Sequence, residues 1–305
     1  MPLGRLVVVA GPTGTGKSEL GLVLAEQLDG EVIGADSMQL YRGMDIGTAK
    51  LPVAERRGIP HHLLDVLDVT ETASVAAYQR DARAAIEEVL ARGRTPLLVG
   101  GSGLYVQAVI DEIDFPGTDP AIRARLVREL ADSGVEQLRT RLARLDPAAA
   151  AAIESNNGRR IVRALEVIEL TGRPFTATLP RPGPPRYDAV LLCLDRDPDG
   201  LDDALAARVD RMMAAGFADE VEALERVGLR RGLTASRALG YRQLLAARDG
   251  TISERQAVAD TVTATRRFVR RQRSWFGRDN RMSRLDASDA ELKSAALGLA
   301  RAGRR

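Results

Sequence analysis

The segment Gly11, Pro12, Thr13, Gly14, Thr15, Gly16, Lys17, Ser18 fits the spacing G-x-x-x-x-G-K-[ST], and each part of it has a physical task toward phosphate. Glycines at 11, 14 and 16 let the backbone fold so that successive N–H groups point inward. The helix expected to follow adds its positive amino end. Lys17 would place a compact charge on a terminal phosphate, and the Ser18 hydroxyl would ligate Mg²⁺. Only three of the 44 basic residues are lysines, Lys17, Lys50 and Lys293. A lysine in a chain that prefers arginine so strongly is informative.

A nucleoside triphosphatase normally adds an acid at the end of a second core strand, to hold metal and organise attack by water. The run Pro96-Leu-Leu-Val-Gly100 ends instead in Gly-Gly-Ser-Gly. An acid does close the run Val32-Ile-Gly-Ala-Asp36-Ser37, and the carboxyl ends of parallel strands line the ligand crevice. Asp36 is therefore expected to face the phosphate loop, as a metal ligand, a general base or a turn cap. One acid absent and another present points to phosphate chemistry without attack by water.

These residues need a parallel α/β sheet to position them. Leu6–Ala10, Glu31–Ala35, His62–Val66 and Thr95–Gly100 read as strands, separated by amphipathic helices over Ser18–Leu28 and Ser74–Arg92. From Asp114 to Tyr187 only helical patterns occur, ending in the proline-rich Leu179-Pro-Arg-Pro-Gly-Pro-Pro-Arg-Tyr187. The apolar run Asp188–Leu194 then reads as a buried strand. The expected architecture is thus a P-loop-type parallel sheet with helices on both faces. Residues 1–113 and 188–305 form the catalytic core, and 114–187 form an all-helical insertion. Helices are expected over Asp202–Ala215, Ala218–Val227, Ser236–Ala247, Ser253–Phe276 and Asp289–Ala302.

With 305 residues and 45% hydrophobic content the chain can bury a full core. No stretch approaches the roughly 18 apolar residues of a membrane span, and the amino terminus lacks the order of a signal peptide. A cytoplasmic protein with no membrane partner is the expectation. Cys193, the single cysteine, lies in an apolar run and reads as a core thiol. His61 and His62 point to opposite sides of a strand and read as structural rather than metal-binding. The net charge of +2 does not by itself announce a nucleic-acid partner.

Seven blocks, GPTGTGKSEL, ADSMQLYRGMDIGTAK, GIPHHLLDV, LLVGGSGLY, NNGRRIVRALEV, RVDRMMAAGFADEV and ALGYRQ, stand in the order of the tRNA dimethylallyltransferase family. The chain resembles that family as far as about Arg273. The resemblance implies transfer of a dimethylallyl group from dimethylallyl diphosphate to N6 of the adenosine immediately 3′ of the tRNA anticodon, with release of diphosphate. On that reading the P-loop grips a prenyl diphosphate, and Asp36 accepts the N6 proton. Ser102, where the family more often has threonine, bonds near the amine. Arg208 neutralises charge on the departing diphosphate.

The same resemblance assigns tRNA contacts to Asp36, Ser37, Met38 and Gln39, to Ser102, to Arg123 early in the insertion, and to Arg159, Arg160, Ile161, Val162 and Arg163. Arg160 and Arg163 fall one helical turn apart; a solvated basic face is the other reading of that pattern. The densest basic segment lies between Arg255 and Arg278, with seven arginines against the single acid Asp260. Phosphate contacts there would be salt-dependent and indifferent to sequence. A monomer suits an enzyme that grips an anticodon stem-loop. Three other readings share the motif: an adenylate isopentenyltransferase, a small-molecule P-loop kinase, and a nucleotide-gated RNA-binding protein without covalent chemistry.

Overall fold

The apolar run before the phosphate loop forms the central strand β1 (Val7–Ala10), with every residue buried. The structure is a computed structural model and describes residues 5–113, 115–178 and 183–302. α1 (Lys17–Leu28), β2 (Gly30–Gly34), β3 (His61–His62), α2 (Val75–Ala91), β4 (Thr95–Gly100) and α3 (Gly103–Ile110) follow. The insertion carries α4 (Pro120–Ser133), α5 (Val135–Leu145), α6 (Pro147–Ala152) and α7 (Gly158–Thr171). The sheet resumes at β5 (Val190–Asp195), and α8 (Pro198–Ala214), α9 (Phe217–Arg226), α10 (Tyr241–Arg248), α11 (Glu254–Phe276), β6 (Ser283–Asp286) and α12 (Leu292–Ala302) complete the order.

The strands run β3-β2-β4-β1-β5-β6, and each neighbouring pair is parallel. In the four central strands β2, β4, β1 and β5 successive side chains enter two different cores, which is why the middles of these strands are apolar. Val8, Ile33, Leu98 and Leu191 pack on one face with Tyr78 of α2, Tyr105 of α3 and Phe276 of α11. Val7, Val32, Leu97 and Leu192 pack on the other with Leu20 and Leu24 of α1 and Ala296 and Ala300 of α12. A further cluster joins Tyr41 and Met44 to Phe217, Tyr241 and Ala257 under the second half of the chain. The expected P-loop-type sheet, covered on both faces, is what forms.

The chain divides into two compact units, one made of residues up to 110 and from 184 onward, the other Asp111–Gly183. The second has its own core of Leu126, Leu138, Leu142, Ile161 and Leu165. Three of its four helices start at side-chain caps: Asp119 accepts from Ala121 N and Ile122 N, Asp146 from Ala149 N, and Asn157 from Arg160 N. The sequence pattern put the insertion's limits at 114 and 187; Asp114 and residues 179–182 of the proline-rich stretch lie outside the described residues.

Three elements depart from expectation. β3 has two residues instead of five, because Leu63 and Asp65 adopt left-handed backbone, with φ of 60° and 58°, and leave the ladder. The helix read over 236–247 begins only at Tyr241. Gly240 there has φ of 84°, and a Cβ on it would lie 2.5 Å from the Phe217 ring, so packing against Phe217 breaks the helix. The tail after Arg284, for which the sequence suggested no role, pairs as β6 alongside β5 and covers α1 with α12. Neither the four residues Ser-Arg-Leu-Asp nor their half-exposed burial pattern signals a strand.

Candidate active site

β2, β4 and β1 are adjacent, and their carboxyl ends lead to Asp36, to Ser102 and to the phosphate loop. With neighbouring strands about 4.8 Å apart, three loops distant in sequence become one surface. Gly11, Gly14 and Gly16 all have positive φ, of 140°, 84° and 81°. At Gly11 the constraint is also steric, since a Cβ would sit 2.1 Å from the Leu194 carbonyl oxygen. The Thr15 hydroxyl donates to Pro12 O at 2.9 Å, and the Lys17 ammonium donates to the same carbonyl. The loop is thus hydrogen-bonded across to its own lysine.

Asp36 accepts from Met38 N at 2.9 Å through Oδ1, so the turn-cap role is real. Its other oxygen has no hydrogen-bond partner among the described residues. Ser102 N donates to Ala35 O at 3.1 Å, and Ser37 N donates to Ser102 Oγ at 3.1 Å. This close approach requires Gly100, where a Cβ would lie 2.2 Å from Ala35 O. Behind the site the Tyr78 hydroxyl donates to Gly34 O at 2.9 Å and fixes the end of β2.

Two cations share this space. Burial lowers the Lys17 ammonium to about 8; Asp36 opposes the fall and Arg208 adds to it. Burial likewise lowers Arg208, again opposed by Asp36. Among the described residues Arg208 has no hydrogen-bonding or ion-pairing partner. Lys17, Arg208 and Asp36 therefore interact through the field rather than by direct pairing, which leaves two positive groups available to an anion.

Gln39 lies on the loop after Asp36 and donates to Thr48 O at 3.1 Å. That loop is pinned by Glu220 of α9, which accepts from the backbone amides of Asp45, Ile46 and Gly47 at 3.0, 2.6 and 3.1 Å. The Tyr241 hydroxyl donates to the same carboxylate at 2.6 Å. Sequence reading did not single out Glu220, although it lies in the block RVDRMMAAGFADEV. A pocket is lined by Ser18, Gln39 and His61 together with the apolar Val32, Leu51, Leu64 and Val99.

The histidines are structural, as expected: His61 Nδ1 lies 2.8 Å from Ile59 O and His62 Nε2 2.6 Å from Glu31. Among the described residues no group of three His, Cys, Asp or Glu side chains could hold a metal. The Ser18 hydroxyl suits Mg²⁺ only when diphosphate oxygens and water supply the rest, which is how that ion is commonly held. Burial pushes the Cys193 thiol up to about 11, as befits an inert core residue.

In the insertion unit, Arg159 and Arg160 are exposed at the start of α7, whereas Ile161 and Val162 are buried in its core. For these two the expectation of tRNA contact is corrected at the side-chain level: the helical period that exposes Arg160 turns them inward. Arg123 and Arg163 both donate to the fully buried Glu166, at 3.1 and 3.0 Å, and Arg163 also donates to Gly117 O at 3.1 Å. On α11, Arg267, Arg270 and Arg271 are exposed. Arg273 is instead held by Asp195 at 2.8 Å and Arg266 by Asp202 at 3.2 Å.

A glycine-rich loop after the central strand, a carboxylate beyond β2 and two buried cations coupled to it lie on a parallel sheet of the P-loop type. The family model described as IPP transferase matches residues 39–279, and the chain belongs to that family. Curated relatives named tRNA dimethylallyltransferase include one from Saccharopolyspora erythraea, 66% identical over 93% of this chain and 92% of its own. Another, from Salinispora arenicola, is 60% identical over 99% and 88%. The solved tRNA isopentenylpyrophosphate transferase of Bacillus halodurans is 38% identical and covers 97% of this chain and 94% of its own, with a TM-score of 0.72. A eukaryotic dimethylallyltransferase acting on tRNA superposes with a TM-score of 0.80 at 28% identity, over 93% of this chain and 74% of its own.

Proposed function

We propose that this chain transfers the dimethylallyl group of dimethylallyl diphosphate to N6 of the adenosine 3′-adjacent to the tRNA anticodon. The observation that carries the reading is the juxtaposition of a phosphate loop and two cations, Lys17 and Arg208, with a carboxylate that has a spare oxygen, and no acid at the end of β4 to activate water. The N6 lone pair forms a bond to the allylic carbon as the carbon–oxygen bond to diphosphate breaks. The bonding electrons leave on the diphosphate, and the N6 proton passes to Asp36. Lys17, the loop amides and Arg208 stabilise the developing negative charge, as fixed charges do most strongly where water is scarce.

Ser18, together with the diphosphate, would hold Mg²⁺, which supplies further neutralisation of the leaving group when bound. Ser102, tied to Ser37 beside Asp36, would bond the incoming amine. The apolar walls beside Ser18 offer a surface of the kind a prenyl chain needs. Exposed Arg159 and Arg160 and the outer arginines of α11 are the RNA contacts this reading favours. Arg123 and Arg163 are first of all partners of Glu166. No helix of the described residues is long and apolar enough to cross a membrane; a cytoplasmic, monomeric enzyme is the form in which tRNA would be met.

The test is incubation with Mg²⁺, dimethylallyl diphosphate and unmodified tRNA, followed by digestion and mass analysis. Prenylated adenosine in the anticodon loop is the expected product. Its absence with folded protein, or prenylation of free adenylate in preference to tRNA, overturns the reading.

A further inference from the structure

Gln272 is a neutral residue between Arg271 and Arg273 in the most basic helix of the chain, yet it is buried, at 6% exposure. Its side-chain oxygen accepts from Thr13 N of the phosphate loop at 3.0 Å, and its side-chain nitrogen donates to Gly101 O at 2.8 Å. A backbone N–H on one side and a carbonyl on the other fix the orientation of the amide. The fit is close, since a Cβ on Gly101 would lie 2.4 Å from Gln272 Nε2. Three residues on, the Trp275 ring packs so tightly over Gly103 that a Cβ there would lie 2.2 Å away.

The β1–β4 ladder ends at Ala10 and Gly100. Beyond that point, among the described residues, the Gln272 amide is the hydrogen-bonded link between the phosphate loop and the loop that carries Ser102. Ser102 is bonded in turn to Ala35 and Ser37, which flank Asp36. One side chain thus connects the grip on the leaving group to the groups that would receive the nucleophile.

We infer that Gln272 is a positioning residue that sets the separation between the diphosphate and the acceptor amine. The inference rests on the transfer reaction proposed above. Displacement at carbon needs nucleophile, carbon and leaving oxygen in line, and a misplacement of about 1 Å can cost about 100-fold in rate. Each substrate alone still finds its own loop intact when the link is cut.

The test uses Gln272→Met, which keeps the length and removes both polar ends, and Gln272→Glu, which keeps the acceptor for Thr13 and cannot donate to Gly101. Single-turnover transfer is expected to fall about 100-fold in the first and about 10-fold in the second, with tRNA affinity within about threefold of wild type in both. Inorganic diphosphate affinity is expected within about threefold in Gln272→Met but lowered in Gln272→Glu by its added negative charge. Exchange of the Thr13 amide hydrogen is expected to accelerate in Gln272→Met and to stay slow in Gln272→Glu. Unchanged transfer in either folded variant overturns the inference, as does a loss matched by equal loss of both affinities, the pattern of a merely structural residue. If Gln272→Met fails to fold, Gln272→Glu decides alone. Wild type runs alongside: if it forms no prenylated adenosine the transfer reading fails, while Thr13 exchange still reports whether the Gln272 link exists.

Discussion

At the amino-terminal end of β2 the buried Glu31 accepts hydrogen bonds from His62 at 2.6 Å and Arg92 at 2.7 Å, with Arg94 at 3.4 Å. Beyond the other end of the same strand Asp36 shares its surroundings with Lys17 and Arg208 and pairs directly with neither. Burial alone would raise the Glu31 carboxyl, but its three donors outweigh burial and hold it below its ordinary value. At the Asp36 end, burial of two cations is only partly offset by Asp36 and their proton affinities fall. Charge that is matched within the protein serves stability, and charge left unmatched within reach of a carboxylate is a place for a ligand.

The sharpest way to break this comparison is Asp36→Ala. Turnover should fall by about two to four orders of magnitude, with tRNA affinity little changed, if Asp36 is the general base. Single-turnover chemistry and filter binding check this together, and unchanged turnover removes Asp36 from the role. Next in size is pH. Lys17 titrates near 8 in the free protein, so kcat/KM for the prenyl donor should decline about tenfold per unit as pH rises above 8. Lys17→Arg should abolish that limb. Because the folded protein lowers this group, Lys17 burdens the fold below about 8, and the burden is relieved as pH rises toward the ordinary value of 10.5.

At the other end of β2 the expected effects are on stability. Glu31→Gln should cost about 1–3 kcal/mol in denaturant unfolding, because three donors lose their charged acceptor, while transfer activity stays within about twofold. The Glu31 contribution is present above the ordinary carboxyl value and lost as pH falls through the lowered one, so Glu31→Gln and wild type should converge in acid. The smallest effect is expected where charges lie fully in water. Arg226, whose side chain is 71% exposed in its pair with Glu222, should cost less than about 0.5 kcal/mol when changed to Ala.

How far the site could be read from the chain depended on whether its signal was local. The phosphate loop is legible because eight consecutive residues carry the whole constraint, and Asp36 because a strand end can be seen in an apolar run. Arg208 is one of many arginines, and only the resemblance singled it out. Gln272 was hidden among arginines, and Glu220 was not singled out within its block. Each serves backbone groups more than 150 residues away in the chain, and nothing in the local pattern points there. Ile161 and Val162 show the converse, since a block assigned to RNA contact contains its own helix's core positions.

By itself the sequence determined the parallel α/β core, the helical insertion, the phosphate loop with its lysine and the absence of an acid after β4. All of these follow from hydrophobic periodicity and from glycine's access to positive φ, both properties of short segments. Tertiary structure alone decided that β2, β4 and β1 lie side by side, that Lys17 and Arg208 converge on Asp36 without pairing, and that β6 and α12 finish the sheet. The reason is that strand order and the meeting of distant loops are set by packing across both faces of the sheet, which no local window of sequence contains.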